Sequence, residues 1–71
     1  MTEAELNICL GKKIKELRLA RNISQFQLAV ECGFEKSNMS RIEAGRTNPT
    51  VGTLLKICNS LNIELKELFN F

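Results

Sequence analysis

Apolar residues recur at helical spacing along the chain, and Gly, Pro, Ser and Asn interrupt them at short intervals. The first apolar stripe consists of Leu10, Ile14 and Leu17, which predicts an amphipathic helix over about residues 8–21, ending at Asn22. Nothing in the sequence has the pattern of a strand. We therefore expect an all-α fold, a compact bundle of five helices.

Cap and turn residues set the bounds of the other four helices. Ser24 is a natural N-cap, and Gln27 lies where a capping box requires Glu or Gln. Gly33 supplies a left-handed turn residue after the second helix, and Thr50 caps the fourth. The predicted helices span about residues 25–32, 36–44, 51–61 and 65–69.

Residues 25–44 have the spacing of two helices that cross steeply around a tight turn. Ala29 lies at the expected closest approach, where a larger side chain would push the helices apart, and Gly33 adopts positive φ without the cost of a Cβ. Met39 and Ile42, three residues apart, anchor the third helix on the core. Its opposite face is therefore expected to face outward.

That outward face carries short polar and cationic side chains: Lys36, Ser37, Asn38, Ser40 and Arg41. The major groove of B-DNA admits one α-helix, in which Arg or Lys donates to guanine, Asn pairs with adenine and Ser bonds either base. We predict that these five residues contact DNA bases, with Asn38 and Arg41 as the main base contacts. Lys36 and Ser37 contact either bases or the nearest phosphates.

Positive charge is concentrated around the same helices. The net charge of the chain is only +2, but residues 10–46 hold eight basic and four acidic side chains. Such a concentration is the electrostatic footprint of a phosphate-binding surface, although solvated helix faces alone would give the same count. Phosphate contacts are expected at the start of the second helix and after the third. The alternative for each of these residues is an ordinary structural role in a loop or a helix cap. The predicted phosphate contacts are Gln25, Arg46, Thr47, Asn48 and Thr50.

The residues Ser-Gln-Phe-Gln-Leu-Ala from Ser24, then Gly33, Met-Ser-Arg-Ile-Glu-Ala-Gly from Met39 and Asn-Pro-Thr from Asn48 resemble the Cro and phage-repressor-type (Xre-like) helix-turn-helix family. The resemblance covers residues 10–69, the core of a single domain expected over residues 1–71. It implies a lambda-repressor-like fold whose second helix bridges the DNA backbone and whose third helix enters the major groove. It also implies a buried ion pair between Arg18 and Glu43.

The implied function is sequence-specific binding of double-stranded DNA by a transcriptional regulator, with repression as the expected mode. A homodimer would place two recognition helices about 34 Å apart on a near-palindromic operator. The sequence does not distinguish a repressor from an activator, an antitoxin or a controller of restriction genes. A protein-interaction module on the same fold is the alternative.

Two features depart from the family pattern. Glu35 occupies the cap of the third helix, where family members place Ser, Thr or Asp, and Glu caps a helix poorly. Leu19, Phe26 and Val30 are apolar at positions expected to face solvent. They either pack locally or mark contact with another protein, which would favour the alternative function.

Apolar residues at the C-terminus are expected to complete the core against the first and fourth helices. These residues are Ile63, Leu65, Leu68, Phe69 and Phe71. The chain has three cysteines without C-x-x-C spacing and no histidine, so we expect neither a metal site nor a cofactor. Cys32 and Cys58 are expected to be buried thiols, as suits the reducing cytoplasm.

Other classes of protein fit the composition less well. The chain has no histidine, no paired carboxylates in a pocket and no Gly-rich phosphate loop, which argues against an enzyme and against a small-molecule ligand. No apolar run approaches the roughly 20 residues that span a bilayer, so no membrane association is expected.

Overall fold

The computed structural model describes all 71 residues, which form four α-helices followed by a short 3-10 helix. The elements are α1 (Glu3–Ala20), α2 (Gln25–Cys32), α3 (Lys36–Glu43), α4 (Val51–Leu61) and the C-terminal 3-10 helix (Leu65–Phe69). The predicted all-α architecture is confirmed. The expected fifth helix differs in type, because it has 3-10 rather than α geometry.

The bounds of α2 and α4 coincide with the predicted ones because local caps set them. The Ser24 hydroxyl accepts from the Gln27 backbone N–H over 3.0 Å, and the side-chain oxygen of Gln27, Oε1, accepts from the Ser24 backbone N–H over 2.8 Å. At α4 the Thr50 hydroxyl accepts from the Thr53 N–H over 3.1 Å. These bonds satisfy N–H groups that have no partner inside the helix.

Helix α1 begins at Glu3, five residues before the predicted start, so that prediction is wrong. Thr2 caps the helix: its hydroxyl accepts from the Glu5 N–H over 3.1 Å, and the Glu5 carboxylate accepts from the Thr2 N–H over 2.9 Å. The prediction followed the apolar stripe alone. The Thr-x-x-Glu capping box at Thr2 is the sequence signal that locates the true start.

All five helical elements contribute to one core. Helix α3 packs on α1 and α2, while α4 packs on α1, α2 and the 3-10 helix. Met39 and Ile42 are buried, as predicted, and so are Cys32 and Cys58. The core comprises Leu10, Ile14, Leu28, Ala29, Cys32, Met39, Ile42, Leu54, Ile57, Cys58, Leu61 and Leu68. Because α3 contributes only one face to this core, its remaining surface is left to solvent.

The C-terminal part of the predicted core is partly wrong. Leu68 is fully buried and Ile63 and Leu65 are partly buried, but Phe69 and Phe71 are 44% and 57% exposed. In a 3-10 helix residues three apart lie on the same face, so Leu65 and Leu68 face the core together and Phe69 does not. Phe71 lies beside α1, where it lines a surface groove with Cys9 and Lys13.

None of the helices combines the length and the apolar character needed to cross a membrane.

Candidate nucleic-acid interface

The turn between α2 and α3 is closed by backbone hydrogen bonds around Gly33. Gly33 has φ +73° and ψ 25°, a left-handed conformation that disfavours a Cβ. The Phe34 N–H donates to the Ala29 carbonyl over 2.8 Å, and the Gly33 N–H donates to Val30 over 3.1 Å. This closure satisfies carbonyls at the end of α2 and fixes the direction in which α3 starts.

The two helices on which α3 packs, α1 and α2, each contribute a small buried residue. Ala29 of α2, which the sequence places at the closest approach to α3, is buried, with 1% of its surface exposed. Gly11 of α1 was not predicted to have a role, yet a Cβ on Gly11 would lie 2.6 Å from the Ile42 carbonyl oxygen at the end of α3. The absence of a side chain at Gly11 therefore allows α1 to contact the backbone of α3 directly.

The predicted base-contacting residues form most of the solvent face of α3. Lys36, Ser37, Ser40 and Arg41 are exposed, and Asn38 is half-buried. Neither Lys36 nor Arg41 takes part in the three ion pairs of the chain. Their cationic groups are therefore available to a ligand.

The start of α3 lacks a side-chain cap. Glu35 occupies the N-cap position and its carboxylate makes no capping hydrogen bond, although the Glu35 backbone carbonyl accepts from the Asn38 N–H over 3.0 Å. The N–H groups of the first turn, at Lys36 and Ser37, consequently keep their partial positive charge unpaired. This end of the helix is favourable for an anion, except for the neighbouring Glu35 carboxylate.

The start of α2 also presents backbone donors. Its capping box uses the N–H groups of Ser24 and Gln27 and leaves those of Gln25 and Phe26 without a partner inside the helix. The Gln25 side chain, predicted to contact a phosphate, is not directed only toward solvent. It is half-buried, and its Nε2 donates to Glu43 Oε1 over 3.1 Å.

The predicted phosphate contacts beyond α3 fall into two groups. Arg46 and Asn48 are exposed and Thr47 is half-buried, so all three reach the surface. Thr50 is the N-cap of α4, and its hydroxyl also donates to Thr53 Oγ1 over 3.1 Å. For Thr50 the capping role that the sequence left as an alternative is the one the structure displays.

A buried ion pair joins α1 to the end of α3. Arg18 Nε lies 2.7 Å from Glu43 Oε2, and Arg18 Nη2 donates to Glu43 Oε1 over 3.1 Å. The third donor of Arg18, Nη1, bonds the Ile23 carbonyl over 2.8 Å. Bidentate pairing of this kind fixes the orientation of the two side chains. Removing one partner typically lowers the free energy of unfolding by about 3 to 5 kcal/mol, because the other charge stays buried.

The apolar residues that depart from the family pattern are not packed in the monomer. Phe26 and Val30 are 59% and 60% exposed on the outer side of α2, and Leu19 at the end of α1 is 54% exposed. Phe26 and Val30 lie one helical turn apart and so share a face. Local packing, one of the two explanations left open by the sequence, therefore covers less than half of each of these side chains.

Known proteins share both the sequence and the fold. The family described as "Helix-turn-helix" matches residues 14–68. The chain is 33% identical over 67 residues to the control protein C.BamHI of Bacillus amyloliquefaciens, covering 93% of this chain and 83% of that protein. It is 45% identical over 62 residues to the HTH-type transcriptional regulator SlrR of Bacillus subtilis, covering 86% of this chain but 41% of SlrR.

The fold is also that of a solved controller protein. The crystal structure of the restriction-modification controller protein C.AhdI from Aeromonas hydrophila superimposes with a TM-score of 0.87 and 36% identity, covering 93% of this chain and 98% of that chain. The helix-turn-helix geometry, the polar face of α3 and these matches agree. The chain therefore belongs to the Xre-like helix-turn-helix family, and it is a DNA-binding transcription regulator.

Proposed function

We propose that the protein binds a near-palindromic operator as a homodimer and represses transcription from it, with α3 as the recognition helix in the major groove. The observation that carries the proposal is the outward face of α3, where Lys36, Ser37, Ser40 and Arg41 are exposed above the buried anchors Met39 and Ile42. We infer a DNA-binding protein rather than an enzyme, because the family and the relatives it matches are transcription regulators. We infer that it is cytoplasmic, since its three thiols are free and such thiols persist in a reducing compartment.

The contacts divide into base recognition and phosphate binding. Asn38 and Arg41 have the donors and acceptors that distinguish adenine and guanine in the major groove, and Lys36, Ser37 and Ser40 lie on the same short helix. Arg46, Thr47 and Asn48 follow α3 and bind the phosphates on its far side. The free N–H groups of Gln25 and Phe26 bind a phosphate at the start of α2.

A second copy of the chain covers an apolar surface on α4. Val51 and Leu55, one turn apart, are 70% and 50% exposed, and Phe69 of the 3-10 helix is 44% exposed. These residues lie on elements that pack on α1 and on each other, and α4 also packs on α2. Dimerisation through this surface would leave the outward face of α3 free for DNA, and two-fold pairing matches a palindromic site.

Control of restriction-modification genes is our first candidate for the biological role. The restriction-modification controller protein C.AhdI and the control protein C.BamHI align with this chain over most of their lengths, 98% and 83% respectively. SlrR, in contrast, has more than half of its length outside the match.

The experiment that tests the proposal is selection of bound sequences from a random duplex pool, with the binding of the selected sequence followed across a salt series. Enrichment of an inverted repeat, with affinity that falls steeply as salt rises, is the expected result. The absence of any enriched sequence together with flat salt dependence would contradict the proposal. It would favour a protein-interaction module, for which the exposed Phe26 and Val30 offer the surface.

A further inference from the structure

Two side chains of α4 contact the turn between α2 and α3. Lys56 Nζ lies over the Phe34 ring, 5.8 Å from its centroid. One helical turn further along α4, the Ser60 hydroxyl lies 3.4 Å from the Cys32 sulfur and forms a hydrogen bond with it. Cys32 and Phe34 flank Gly33, so α4 is connected to the chain on both sides of the left-handed residue at which the turn is made.

The Lys56 contact is a cation–π interaction. Its ammonium group takes part in none of the three ion pairs of the chain, and the Phe34 ring is half-buried against the core. A cation within about 6 Å of a ring centroid is attracted by the negative face of the ring. Because the ring is packed against the core, the interaction holds Phe34 at a defined position relative to α4.

Phe34 leads directly into the recognition helix. Its backbone N–H donates to the Ala29 carbonyl over 2.8 Å, and α3 begins two residues later, at Lys36. Helix α3 packs on α1 and α2, and α4 packs on the same two helices. The Lys56 contact adds a link from α4 to the segment that starts α3. A displacement of Phe34 relative to α4 would therefore displace the start of α3 with it.

Helix α4 also carries the surface that we assign to the dimer. Val51 and Leu55 are exposed and lie on a different face of α4 from Lys56 and Ser60. In a two-fold dimer the position of α3 relative to the interface sets the distance between the two recognition helices. That distance has to match the spacing of the two half-sites on DNA. The Lys56 contact lies between the dimer surface and the start of α3.

We propose that Lys56 is a positioning residue for half-site spacing. By holding Phe34 it fixes the start of α3 relative to the dimer surface on α4, and so it limits the number of base pairs that separate the half-sites of the operator. The proposal rests on the proposed function, since it assumes a dimer on a two-fold operator. It assigns a role in operator choice to a residue that needs no contact with DNA.

The test measures affinity for the selected operator and for operators whose half-sites are one base pair closer or further apart. One base pair moves a half-site by about 3.4 Å and rotates it by about 35°. Binding an altered operator displaces α3 and strains the Lys56 contact in each of two subunits. Lys56→Gln removes the cation, so the ratio of affinity for the selected operator to that for the altered operators should fall about fivefold. An unchanged ratio would overturn the proposal.

Two further variants separate the cation–π contact from charge alone. Lys56→Arg keeps a cation over the ring and should retain the parent ratio. Lys15→Gln removes the same charge from an exposed, unpaired lysine of α1, so it should weaken binding to all of these operators alike and leave the ratio unchanged. A fall for Lys15→Gln as large as that for Lys56→Gln would attribute the effect to net charge and contradict the proposal.

A double-variant comparison tests the route through Phe34. Phe34→Leu keeps an apolar side chain at the half-buried site but removes the ring, so it should lower the ratio by itself. In the Phe34→Leu background, Lys56→Gln is expected to cause no further fall, because the cation has no ring to contact. A fall of the same size in both backgrounds would contradict a role for this contact.

Thermal unfolding distinguishes positioning from support of the fold. A lower Tm of Lys56→Gln with an unchanged ratio of affinities, measured well below that Tm, would make Lys56 a purely structural residue and overturn the proposal. The parent protein separates the two proposals. If the parent has no preference among the spacings, the two-fold operator of the proposed function fails. If the parent prefers one spacing and Lys56→Gln prefers it equally, only the positioning role fails.

Discussion

Gly11 of α1 lies directly against the Glu43 carbonyl at the end of α3: a Cβ added to Gly11 would come within 2.5 Å of that oxygen. Neither backbone can move aside without displacing a helix, so Gly11→Ala is expected to lower the free energy of unfolding by about 3 kcal/mol. For a domain of this size that lowers the Tm by roughly 10 to 20 °C in thermal unfolding followed by circular dichroism.

Gly52 provides a control within the same chain. It lies in the first turn of α4, and the nearest atom to an added Cβ is Thr50 Oγ1 at 3.8 Å. Gly52→Ala is therefore expected to stabilise the protein by about 0.5 to 1 kcal/mol through helix propensity. A Gly11→Ala protein as stable as the parent would show that α1 and α3 are not in backbone contact.

Replacing Glu35 should improve the start of α3. Glu35→Asp keeps the charge and supplies a side chain of capping length, so the free energy of unfolding should rise by about 1 kcal/mol. Glu35→Ser also caps the helix but removes a negative charge beside the expected phosphates. Urea unfolding should show both variants to be more stable, whereas only Glu35→Ser should bind operator DNA more tightly. Tighter operator binding by both variants would mean that the negative charge at position 35 does not oppose DNA binding.

Arg41 and Arg46 should differ in what they contribute to DNA binding. Arg41→Ala is expected to relax the preference at one base pair by about 1 to 3 kcal/mol, whereas Arg46→Ala should weaken all sequences alike and reduce the salt slope by about one. Competition binding with single-base operator variants over a salt series measures both effects. Equal effects of the two substitutions on operator and random DNA would contradict this division.

The surface on α4 should control the oligomeric state. Leu55 is 50% exposed one turn from Val51, and Leu55→Glu is expected to convert a dimer into a monomer because a carboxylate would have to be buried in an apolar interface. Phe26→Lys, at a comparably exposed apolar residue of α2, should leave the dimer intact. Light scattering at high concentration distinguishes the two. A parent protein that is monomeric both free and bound to DNA would contradict the proposed homodimer.

The three thiols should react at different rates. Burial raises the pKa of the Cys32 thiol, an effect partly offset by its hydrogen bond with Ser60, and burial likewise raises the pKa of Cys58. Since the thiolate is the reactive form, alkylation of the folded protein near pH 8 should modify half-buried Cys9 first. Mass spectrometry should detect modification of the other two only on unfolding. Early modification of Cys58 would indicate that α4 opens readily.

Elements defined by local chemistry could be predicted from the sequence. Ser24 and Thr50 cap α2 and α4 with bonds to residues three positions away, so the chain itself carries the information. Gly33 likewise indicates the turn, and the three-residue spacing of Met39 and Ile42 indicates the buried face of α3. The start of α1 could have been predicted in the same way, from the capping box that Thr2 and Glu5 form.

The tertiary structure decided the contacts between residues far apart in sequence. The close approach of Gly11 to α3 and the bond from Gln25 to Glu43 depend on the crossing of the helices, which no local spacing encodes. Phe69 is exposed because the last turn is a 3-10 helix packed through Leu65 and Leu68, a geometry set by the fit against α1 and α4. The sequence by itself thus determined the helix-turn-helix and its polar face, since caps, turns and periodicity act over a few residues. The position of that face relative to α1 and α2 was decided only when the whole core packed.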